Sequence, residues 1–358
     1  MGQSLLGIEI GNNNMKVVQG TRKGKILNLL NYGIQPTPLG AVRDGFIVDM
    51  DAVYYSISEL LKKKKITEQN AAIIVQGTSI ITRDVVMPYM EEKELRNILD
   101  FQKDEYFPID VSDYQTDFKI LNEMETEEGK QLNVLLVAAP NNMIATSLEL
   151  MNRLKLRAKY IDIASNAISK LYGYKSMASE IEEPFSIMIL DIGGQTTTAT
   201  ILSETNILFS RTILYGFDEL NQIIVNEFGE EDYEQIEMFK MKYAAIHTAE
   251  SGGSADLYGN LISNIIKPAI DNNLIQEISR FLEFYYSRSN ARRIKTIYLV
   301  GGGSYLKNLD KYIGKVFNIT TKKGEILENI NVKAIKDRKE IEDDFLYLVN
   351  AIGLINRK

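Results

Sequence analysis

The sequence predicts an α/β protein with two lobes of like fold around a cleft, and with a smaller α+β subdomain inserted in the first lobe. The main observation is a pair of similar segments far apart in the chain, LLGIEIGNNNMKVVQG at 5–20 and SIMILDIGGQTTTATIL at 186–202. Each reads as an apolar strand ending near an acidic residue, a glycine turn with small polar residues, and a second strand. Because each segment begins its own half of the chain, the pair predicts two lobes that hold one phosphate group between them.

The turns of these two segments carry residue types that suit phosphate and metal binding. A glycine between two strands can adopt a positive φ and lets a ligand approach the backbone closely. Nearby N–H and hydroxyl groups can donate to phosphate oxygens, and a carboxylate at the strand end can hold Mg²⁺, usually through water. The candidates are Glu9, Gly11, Asn12, Asn13, Asn14 and Lys16 in the first segment, and Asp191, Gly193, Gly194, Gln195, Thr196 and Thr197 in the second. Either segment alone is better explained as an ordinary β-hairpin.

A third glycine segment favours the nucleotide interpretation. Residues 294–306, IKTIYLVGGGSYL, predict an apolar strand that runs into a small-residue turn before a helix. Bare backbone at such a turn can lie against the sugar or the phosphates of a nucleotide. The candidate residues of this turn are Gly301, Gly302, Gly303 and Ser304.

Composition limits the class of protein and excludes several functions. At 358 residues, with 45% hydrophobic and 25% charged residues, the chain has the size and content of a soluble two-domain or bilobed protein. A net charge of −7 argues against nucleic-acid binding. The absence of cysteine and the presence of one histidine exclude the usual zinc sites and Cys–His catalysis. We identify no signal peptide and no apolar run of membrane-spanning length.

The first lobe is predicted to comprise residues 1–84 and 158–184. Three strands at 5–10, 14–20 and 25–34 form a meander, an amphipathic helix follows at 51–64, and a buried strand at 71–77. Three strands, a helix and a further strand are the order of elements in a ribonuclease-H-like half-fold. A strand at 158–163 and a helix at 164–174 return the chain to this lobe.

Residues 85–157 are predicted to form the inserted subdomain, in the order helix, strand, strand and helix. Its first helix begins with acidic residues, which suit the positive end of the helix dipole, and Pro108 ends it. The predicted elements are a helix at 91–107, strands at 114–121 and 131–139, and a helix at 141–156.

The second lobe, 185–342, is predicted to repeat the scheme, with 217–270 as its smaller subdomain. Polar residues at 177–184 predict the link between the lobes. The C-terminal helix, 343–358, is expected to pack back onto the first lobe. The other predicted elements are strands at 186–191, 196–202, 207–213 and 296–300, and helices at 218–228, 233–246 and 271–289.

With these segments in place, the chain resembles the actin-like ATPase superfamily, which includes actin, sugar kinases and heat-shock chaperone ATPases. Within it the chain is most similar to the type IV pilus assembly family PilM, with the cell-division family FtsA next. The resemblance covers essentially the whole chain. It rests on the order of the blocks LGIEIGNNNMKVV, MPYMEEKELRNILDFQKDEYFPIDVSDYQTDFKIL, VLLVAAPNNMI, KYIDIASNAISKLYG, EISRFLEFYYSRS and IYLVGGGSYLKNL.

The resemblance implies ATP and Mg²⁺ as cofactors, with Glu9 and Asp191 as the metal-binding pair. Glu237 and Lys240, spaced E-x-x-K on a helix, match a pair that borders adenine and ribose, with Lys242 as the alternative lysine. The same spacing is common for an exposed ion pair on any helix. The implied phosphate and adenosine contacts are Gly11 to Asn14, Lys16, Asp191 to Thr197 and Gly301 to Ser304.

Two departures from the family pattern concern the chemistry. Position 9 is glutamate where the family usually has aspartate, which changes the geometry of metal binding. In the hydrolytic relatives, the start of the helix at 164–174 supplies a glutamate or glutamine that orients the attacking water, and here the matching residue is Ala164. Without that group phosphoryl transfer lacks a positioning element, so we predict weak or no intrinsic ATP hydrolysis.

The resemblance implies a scaffold of the pilus machine that captures the cytoplasmic N-terminal tail of the membrane protein PilN beside the inserted subdomain, by strand addition or in an apolar slot. It also implies contacts with other inner-membrane platform and motor proteins, and hence a position at the inner face of the membrane. An alternative is a filament-forming ATPase like FtsA, which would self-associate. A small-molecule kinase would need a catalytic aspartate facing a sugar site in the first lobe, and we find no candidate.

Overall fold

The structure is a computed structural model, and it describes residues 3–107, 109–127, 129–177, 185–204, 206–229, 233–246, 257–287 and 292–357. The first elements form the predicted meander, helix and strand, with a short ribbon of two strands between the meander and the helix. They are β1 (Ser4–Ile10), β2 (Asn14–Lys23), β3 (Ile26–Pro36), β4 (Val42–Arg43), β5 (Phe46–Ile47), α1 (Met50–Lys63) and β6 (Asn70–Val75).

Apolar patterning explains why β1 lies at the centre of the first sheet. It pairs antiparallel with β2, from Ser4 opposite Thr21 to Ile10 opposite Met15, and parallel with β6. Five consecutive residues of β1 and five of β6 are buried, as expected for strands covered on both faces. Helix α1 buries its apolar stripe, including Ile57 and Leu60, on one face of this sheet.

The inserted subdomain contains a strand that the sequence analysis missed, and it therefore begins before residue 85. This strand is edge strand β7 of a three-stranded antiparallel sheet in the order β7-β9-β8, and one helix covers the sheet. Buried residues of the helix, including Leu95 and Leu99, pack on Val134 and Leu136 of the central strand. The elements are β7 (Ile81–Pro88), α2 (Glu92–Tyr106), β8 (Tyr114–Thr126) and β9 (Gly129–Pro140).

The helix that follows packs mainly with the first lobe and only to a lesser extent with the insert, so the predicted end of the insert at 157 is too late. Leu150 and Met151 of this helix are buried in one cluster with Leu6 and Ile8 of β1. The amphipathic pattern indicated a helix correctly, but it does not say which sheet the helix covers. The elements that complete this part of the chain are α3 (Asn141–Arg153), β10 (Arg157–Ile163) and α4 (Ala164–Met177).

The second lobe begins with three antiparallel strands followed by helices. Its helices α7 and α8 run on through a π-helical turn (Ile270–Ile275), so the helical segment is longer than the predicted 271–289 and starts at Leu257. The described part of 217–270 consists of helices and one isolated bridge between Ala245 and Lys307. The elements are β11 (Ser186–Ile192), β12 (Thr197–Ser203), β13 (Asn206–Ile213), α5 (Asp218–Phe228), α6 (Tyr233–Tyr243), α7 (Leu257–Ala269) and α8 (Gln276–Tyr286).

The last third of the chain completes the second sheet and then returns to the first lobe. Strand β14 pairs parallel with β11, and β15 extends the sheet beyond it. A short 3₁₀ turn at Gly302–Tyr305 follows β14. The remaining elements are β14 (Ile294–Val300), α9 (Leu309–Phe317), β15 (Thr320–Lys323), β16 (Ile330–Asn331) and α10 (Arg338–Ile355).

The two large sheets have the same strand order, which is the order expected for duplicated ribonuclease-H-like lobes. The first sheet runs β10-β6-β1-β2-β3 with β16 added at its edge, and the second runs β13-β12-β11-β14-β15. In each, a meander of three antiparallel strands is followed by two strands parallel to the first. The predicted fold class is confirmed by this repeat.

The boundary of the second lobe differs from the prediction at 342. Strand β16 pairs with β3 of the first lobe, and the Leu27 amide donates to the Asn329 carbonyl at 2.9 Å. Leu327 and Ile330 are buried with Leu29 in a cluster that also holds residues of α10. The chain therefore leaves the second lobe before α10, and that helix begins at Arg338, before the predicted start at 343.

Helix α10 packs against β1 and β2 and also reaches the second lobe. A Cβ atom added at Gly7 would lie 2.6 Å from the Ala351 carbonyl oxygen, so β1 and α10 are in backbone contact. The Gly301 amide of the second lobe donates to the Leu346 carbonyl at 2.9 Å. Among the described residues no helix is both long enough and apolar enough to cross a membrane.

Candidate functional site

The first glycine turn joins β1 to β2 and is closed by one backbone hydrogen bond. The Gly11 amide donates to the Asn14 carbonyl at 3.1 Å, and an added Cβ at Gly11 would lie 2.8 Å from that same carbonyl oxygen. Thr37, just after β3, supports the turn from below: its hydroxyl donates to the Gly11 carbonyl at 2.7 Å and its amide to the Asn13 carbonyl at 2.9 Å. Asn12 is half-buried at the tip of this turn.

The second glycine turn, between β11 and β12, has the same closure. The Gly193 amide donates to the Thr196 carbonyl at 2.9 Å. Here the support comes from backbone at the start of α5, where the Phe217 amide donates to the Gly193 carbonyl at 3.0 Å and the Asp218 amide to the Gly194 carbonyl at 2.9 Å. Each lobe therefore contains a turn of the same kind, closed by one backbone hydrogen bond.

These two turns lie against each other across the cleft between the lobes. A Cβ atom added at Gly194 would lie 2.5 Å from the Asn13 side-chain nitrogen, so glycine is what allows this approach. That nitrogen donates to the Asp218 carboxylate, across the cleft. On the outer side, the Asp44 amide donates to the Gln195 side-chain oxygen at 3.4 Å. Residues predicted from sequence to face one ligand therefore meet at one place.

The acidic residues of the two segments meet behind the turns. Glu9 on β1 forms an ion pair with Lys16 on β2, with 2.9 Å between Oε1 and Nζ. Asn350 of α10 donates its side-chain amide to Glu9 Oε1 at 3.3 Å and to Asp191 Oδ2 at 2.7 Å. One neutral amide group therefore links the carboxylates of both lobes.

The environment of these carboxylates favours a cation. Burial, together with the negative charge of Glu9, raises the pKa of Asp191 to about 6, although the Asn350 hydrogen bond and Lys16 oppose the shift. The second oxygen of Glu9 is buried and has no hydrogen-bond partner among the described residues. A set of carboxylate and amide oxygens with an unsatisfied acceptor matches the ligands that Mg²⁺ prefers. The residues present therefore fit a magnesium ion.

The third glycine turn closes the back of the same site. Because glycine has no side chain, other protein atoms can pack closely against the backbone of this turn. Gly301 has φ +78°, and a Cβ there would lie 2.4 Å from Asp191 Oδ1. A Cβ at Gly302 would meet the Tyr347 ring at 2.9 Å, and one at Gly303 would meet the Ile192 side chain at 2.2 Å. Packing thus requires glycine at all three positions, independently of any ligand.

Two predicted hydroxyl donors are already used inside the protein. Thr197 is fully buried, and its hydroxyl donates to the Tyr215 carbonyl at 2.9 Å. Ser304 is fully buried, and its hydroxyl donates to the Gly301 carbonyl at 2.6 Å. We infer that both hydroxyls shape their turns, because neither is exposed towards the cleft. The glycine motif identified the turns but did not show which way each hydroxyl points.

Of the pair predicted to border adenine, Glu237 and Lys240, the structure describes the side chain of Lys240. Lys240 of α6 donates to the Asn221 side chain of α5 at 2.8 Å, one turn along α5 from Asp218 at the cleft. Glu237 belongs to α6, but its side chain lies outside the described part of the structure. Ala164, at the first position of α4, is buried in an apolar cluster with Ala72 and Leu354.

The sequence analysis missed several residues at the site, and Asn350 is the most informative. It stands in an otherwise apolar stretch of α10, where a lone polar residue indicates a buried polar partner. Gly216 was also missed: a Cβ there would lie 2.1 Å from the Gly194 carbonyl oxygen. The other missed residues are Thr37, Asp44 and Asp218, which follow strands or open a helix, as turn-supporting residues often do.

Comparison with known proteins identifies the family. The model of the family described as type IV pilus assembly protein PilM matches residues 7–358.

The chain belongs to the PilM family.

The solved structure of a PilM–PilN type IV pilus biogenesis complex has the same fold, with a TM-score of 0.82 and 24% identity over 98% of this chain and 97% of that one. MreB5 of Spiroplasma citri bound to AMPPNP has a TM-score of 0.52, with 14% identity over 99% of this chain and 95% of that one.

The cell division protein FtsA of Bacillus subtilis is 24% identical over 237 residues. These are 61% of this chain and 53% of FtsA, so the chain spans about half of that relative. The family and the actin-like ATPase fold that were expected from the order of the sequence blocks are thus both confirmed.

Proposed function

We propose that the protein is an ATP-binding scaffold of type IV pilus assembly that holds the N-terminal tail of a PilN-like membrane protein. The observation that carries the nucleotide part is the contact between the two glycine turns, with Asn13 of one lobe against Gly194 of the other. Turns of this kind present backbone amides to phosphate oxygens. The structure of MreB5 bound to AMPPNP supports the same use of the fold.

In this proposal, different residues around the cleft contact different parts of the nucleotide. Gly11 to Asn14 and Gly193 to Thr196 hold the phosphates, together with Lys16, which already pairs with Glu9. Glu9 and Asp191 hold Mg²⁺, which neutralises phosphate charge when bound. The backbone of Gly301 and Gly302, the two less buried residues of the third turn, would lie at the sugar. Lys240 and Glu237 lie towards the base.

We further propose that hydrolysis is slow. Ala164 occupies the position from which a side-chain carboxylate or amide would orient the attacking water, and it is packed among apolar residues. Without a positioning group the transition state for phosphoryl transfer is stabilised less. We expect turnover below about 1 s⁻¹, the low end for kinases, in the absence of partners.

For the peptide we propose the groove between α2 and β8 of the inserted subdomain. Its floor is apolar, with Leu99 and Phe118, and its rim carries the charged residues Arg96, Lys103 and Asp117. The Arg96 guanidinium stacks on the Phe118 ring at 4.7 Å. An apolar slot with a charged rim suits a short tail that places apolar side chains in pockets and pairs its charges at the edge. The solved PilM–PilN complex supports a partner of this kind.

Nucleotide and peptide are coupled, in this proposal, through the angle between the lobes and through α10. Near its middle, Asn350 touches the carboxylates of the cleft. Just beyond its end, Arg357 donates to Asp162 at 2.6 Å, and Asn166 links Asp162 to Lys119 of β8. Bound nucleotide would shift the population of lobe arrangements and so the insert. Through PilN the protein would lie in the cytoplasm at the inner face of the membrane, beside the platform and motor proteins.

The nucleotide part is tested by calorimetric titration with a non-hydrolysable ATP analogue, with Mg²⁺ and with EDTA. We expect Mg²⁺ to strengthen binding of the analogue. Asp191→Ala should weaken binding of the Mg²⁺ complex by on the order of 100-fold, because loss even of a residue that only supports a metal ligand typically costs about 10–100-fold. Asp117→Ala, on the insert rim, is the matched control and should bind as the wild type does. Absence of binding by the folded wild type would refute this part.

The peptide part is tested with a synthetic peptide of the PilN cytoplasmic tail from the same organism. Phe118→Ser removes apolar floor from the groove and should weaken peptide binding by about tenfold, the equivalent of ~1.4 kcal/mol. Phe101→Ser is the control, because Phe101 belongs to α2, which forms one side of the groove, but is 89% exposed and does not line the groove. Equal affinities of both variants would refute the groove. Equal wild-type affinities with and without the ATP analogue would refute the coupling.

A further inference from the structure

Asn350 occupies a position on α10 that its apolar neighbours do not explain. It is 4% exposed and lies between the buried residues Val349 and Ala351. Its side-chain nitrogen donates to a carboxylate from each lobe, Glu9 at 3.3 Å and Asp191 at 2.7 Å. A buried amide is stable only where its polar atoms find partners, so this residue is placed for the two carboxylates.

The group of side chains around Asn350 holds more buried acceptors than donors. Glu9, itself 3% exposed, has one oxygen with no hydrogen-bond partner among the described residues, and the same is true of Asn350 Oδ1. A buried acceptor without a partner is unfavourable, because it has lost its hydrogen bonds to water and gained none in the protein. A cation satisfies several oxygens at once, and Mg²⁺ binds carboxylate and amide oxygens with water completing its shell.

We propose that Asn350 is a third protein ligand of the divalent cation at the cleft, directly or through one water. This rests on the proposed nucleotide function and adds a residue from α10 to the pair Glu9 and Asp191. Without a cation the amide nitrogen faces the carboxylates. With a cation between them the amide turns, so that Oδ1 faces the metal, because the two ends of an asparagine amide occupy nearly equal space.

The choice of a neutral third ligand has a consequence for specificity. Glu9 and Asp191 carry two negative charges when ionised, and Lys16 offsets one of them. A neutral amide adds an oxygen without adding charge, so the free cation is held weakly and phosphate oxygens are needed for tight binding. An aspartate at position 350 would add charge and should bind the cation without nucleotide.

The first test measures how much Mg²⁺ strengthens binding of a non-hydrolysable ATP analogue. Asn350→Ala should reduce the ratio of the affinities with Mg²⁺ and with EDTA by about tenfold, and leave the affinity in EDTA within about twofold of wild type. Asn356→Ala is the matched control. Asn356 is also a buried asparagine, at the C-terminal end of α10, but its side chain donates to the Lys170 carbonyl, away from the cleft. A purely structural role of Asn350 predicts equal losses with and without Mg²⁺, which would overturn the proposal.

The second test uses no nucleotide, so it separates this inference from the proposed function. Binding of Mn²⁺ alone is followed by electron paramagnetic resonance on folded wild type, Asn350→Leu and Asn350→Asp. We expect Asn350→Asp to bind Mn²⁺ at least tenfold more tightly than wild type, and Asn350→Leu more weakly. If Asn350→Asp does not gain Mn²⁺ affinity, the proposal is wrong even where the wild type binds nucleotide. If it does gain affinity and no variant binds nucleotide, only the proposed function is wrong.

Discussion

The two lobes repeat one strand order and one glycine turn, but they neutralise the acidic residue beside that turn in opposite ways. In the first lobe Glu9 has an ion-pair partner in its own hairpin, Lys16, with both side chains largely buried. In the second lobe Asp191 accepts a hydrogen bond from neutral Asn350, and its pKa is raised to about 6. The first carboxylate has a cation in its own hairpin, whereas the burial of the second is opposed only by the hydrogen bond from Asn350 and by the charge of Lys16.

This difference shows which of the two carboxylates has a charged partner without a ligand. The Glu9–Lys16 pair stabilises the first lobe as it stands, whereas ionised Asp191 is a cost that a bound cation would remove. The same position in the duplicated fold thus has an ion-pair partner in one lobe and only a neutral hydrogen-bond donor in the other, although we propose that both carboxylates bind the cation. Substitutions that remove one charge at each position separate these roles.

The largest expected effect is in the first lobe. Lys16→Met leaves Glu9 without a cation and close to Asp191, and removal of one partner of a buried ion pair typically costs about 3–5 kcal/mol. We therefore expect a loss of about 3 kcal/mol or more in the free energy of unfolding, measured by urea denaturation at pH 7 without nucleotide. The double variant Lys16→Met with Glu9→Gln should recover much of the loss. A value for Lys16→Met within 0.5 kcal/mol of wild type, as an order of magnitude for surface sites, would contradict this interpretation.

The second effect has the opposite sign and belongs to the second lobe. Because the pKa of Asp191 in the folded protein lies above its ordinary value of 3.8, the folded state binds more protons than the unfolded state between about pH 4 and 6. Stability from this group is therefore greatest below pH 4 and falls as the pH rises through 6. Asp191→Asn removes the cost, and we expect it to stabilise the protein by about 1–3 kcal/mol at pH 7.

The control for this effect is Asp162, a buried aspartate whose pKa lies below its ordinary value. Burial opposes that shift, but the cations of Lys170 and Arg357 outweigh burial. Asp162→Asn should therefore destabilise the protein at pH 7. Urea denaturation of the three proteins between pH 4 and 8 measures both differences. If Asp191→Asn gives no gain, or a gain that is the same at pH 4 and pH 7, the raised pKa is not the cause.

Much of the fold can be predicted from the sequence because the hydrophobic pattern and the residue types of the turns are local properties of the chain. The strands β1, β2, β11 and β12 and the turns between them lie where the apolar runs and the glycines predict them. The edge strand β7 was missed because it is only partly buried and its sequence, ITRDVVMP, has no regular alternation of apolar and polar residues. The assignment of α3 to the insert was wrong because an amphipathic stripe shows that a helix packs, but not on which sheet.

The candidate site was predictable where it depends on motifs and not where it depends on distant contacts. The glycines, Glu9 and Asp191 belong to hairpins that can be recognised from sequence. Asn350 lies more than 150 residues from Asp191, and only the path of α10 across both lobes brings them together. The inward direction of the Thr197 hydroxyl depends on the strand's register, with Thr197 opposite Ile213, and not on its type.

The smallest expected effect concerns how each turn is supported. In the first lobe the Thr37 hydroxyl donates to the Gly11 carbonyl, whereas in the second the matching support comes from the backbone amides of Phe217 and Asp218. Only the first can be removed by changing a side chain. Thr37→Val keeps the shape but deletes the donor, and we expect a loss of about 1 kcal/mol by urea denaturation. Thr37→Ser keeps the hydroxyl and should lose less than half of that. An equal loss in both variants would mean that the methyl group of Thr37, and not its hydrogen bond, holds the turn, and the two lobes would then differ less than the hydrogen bonds indicate.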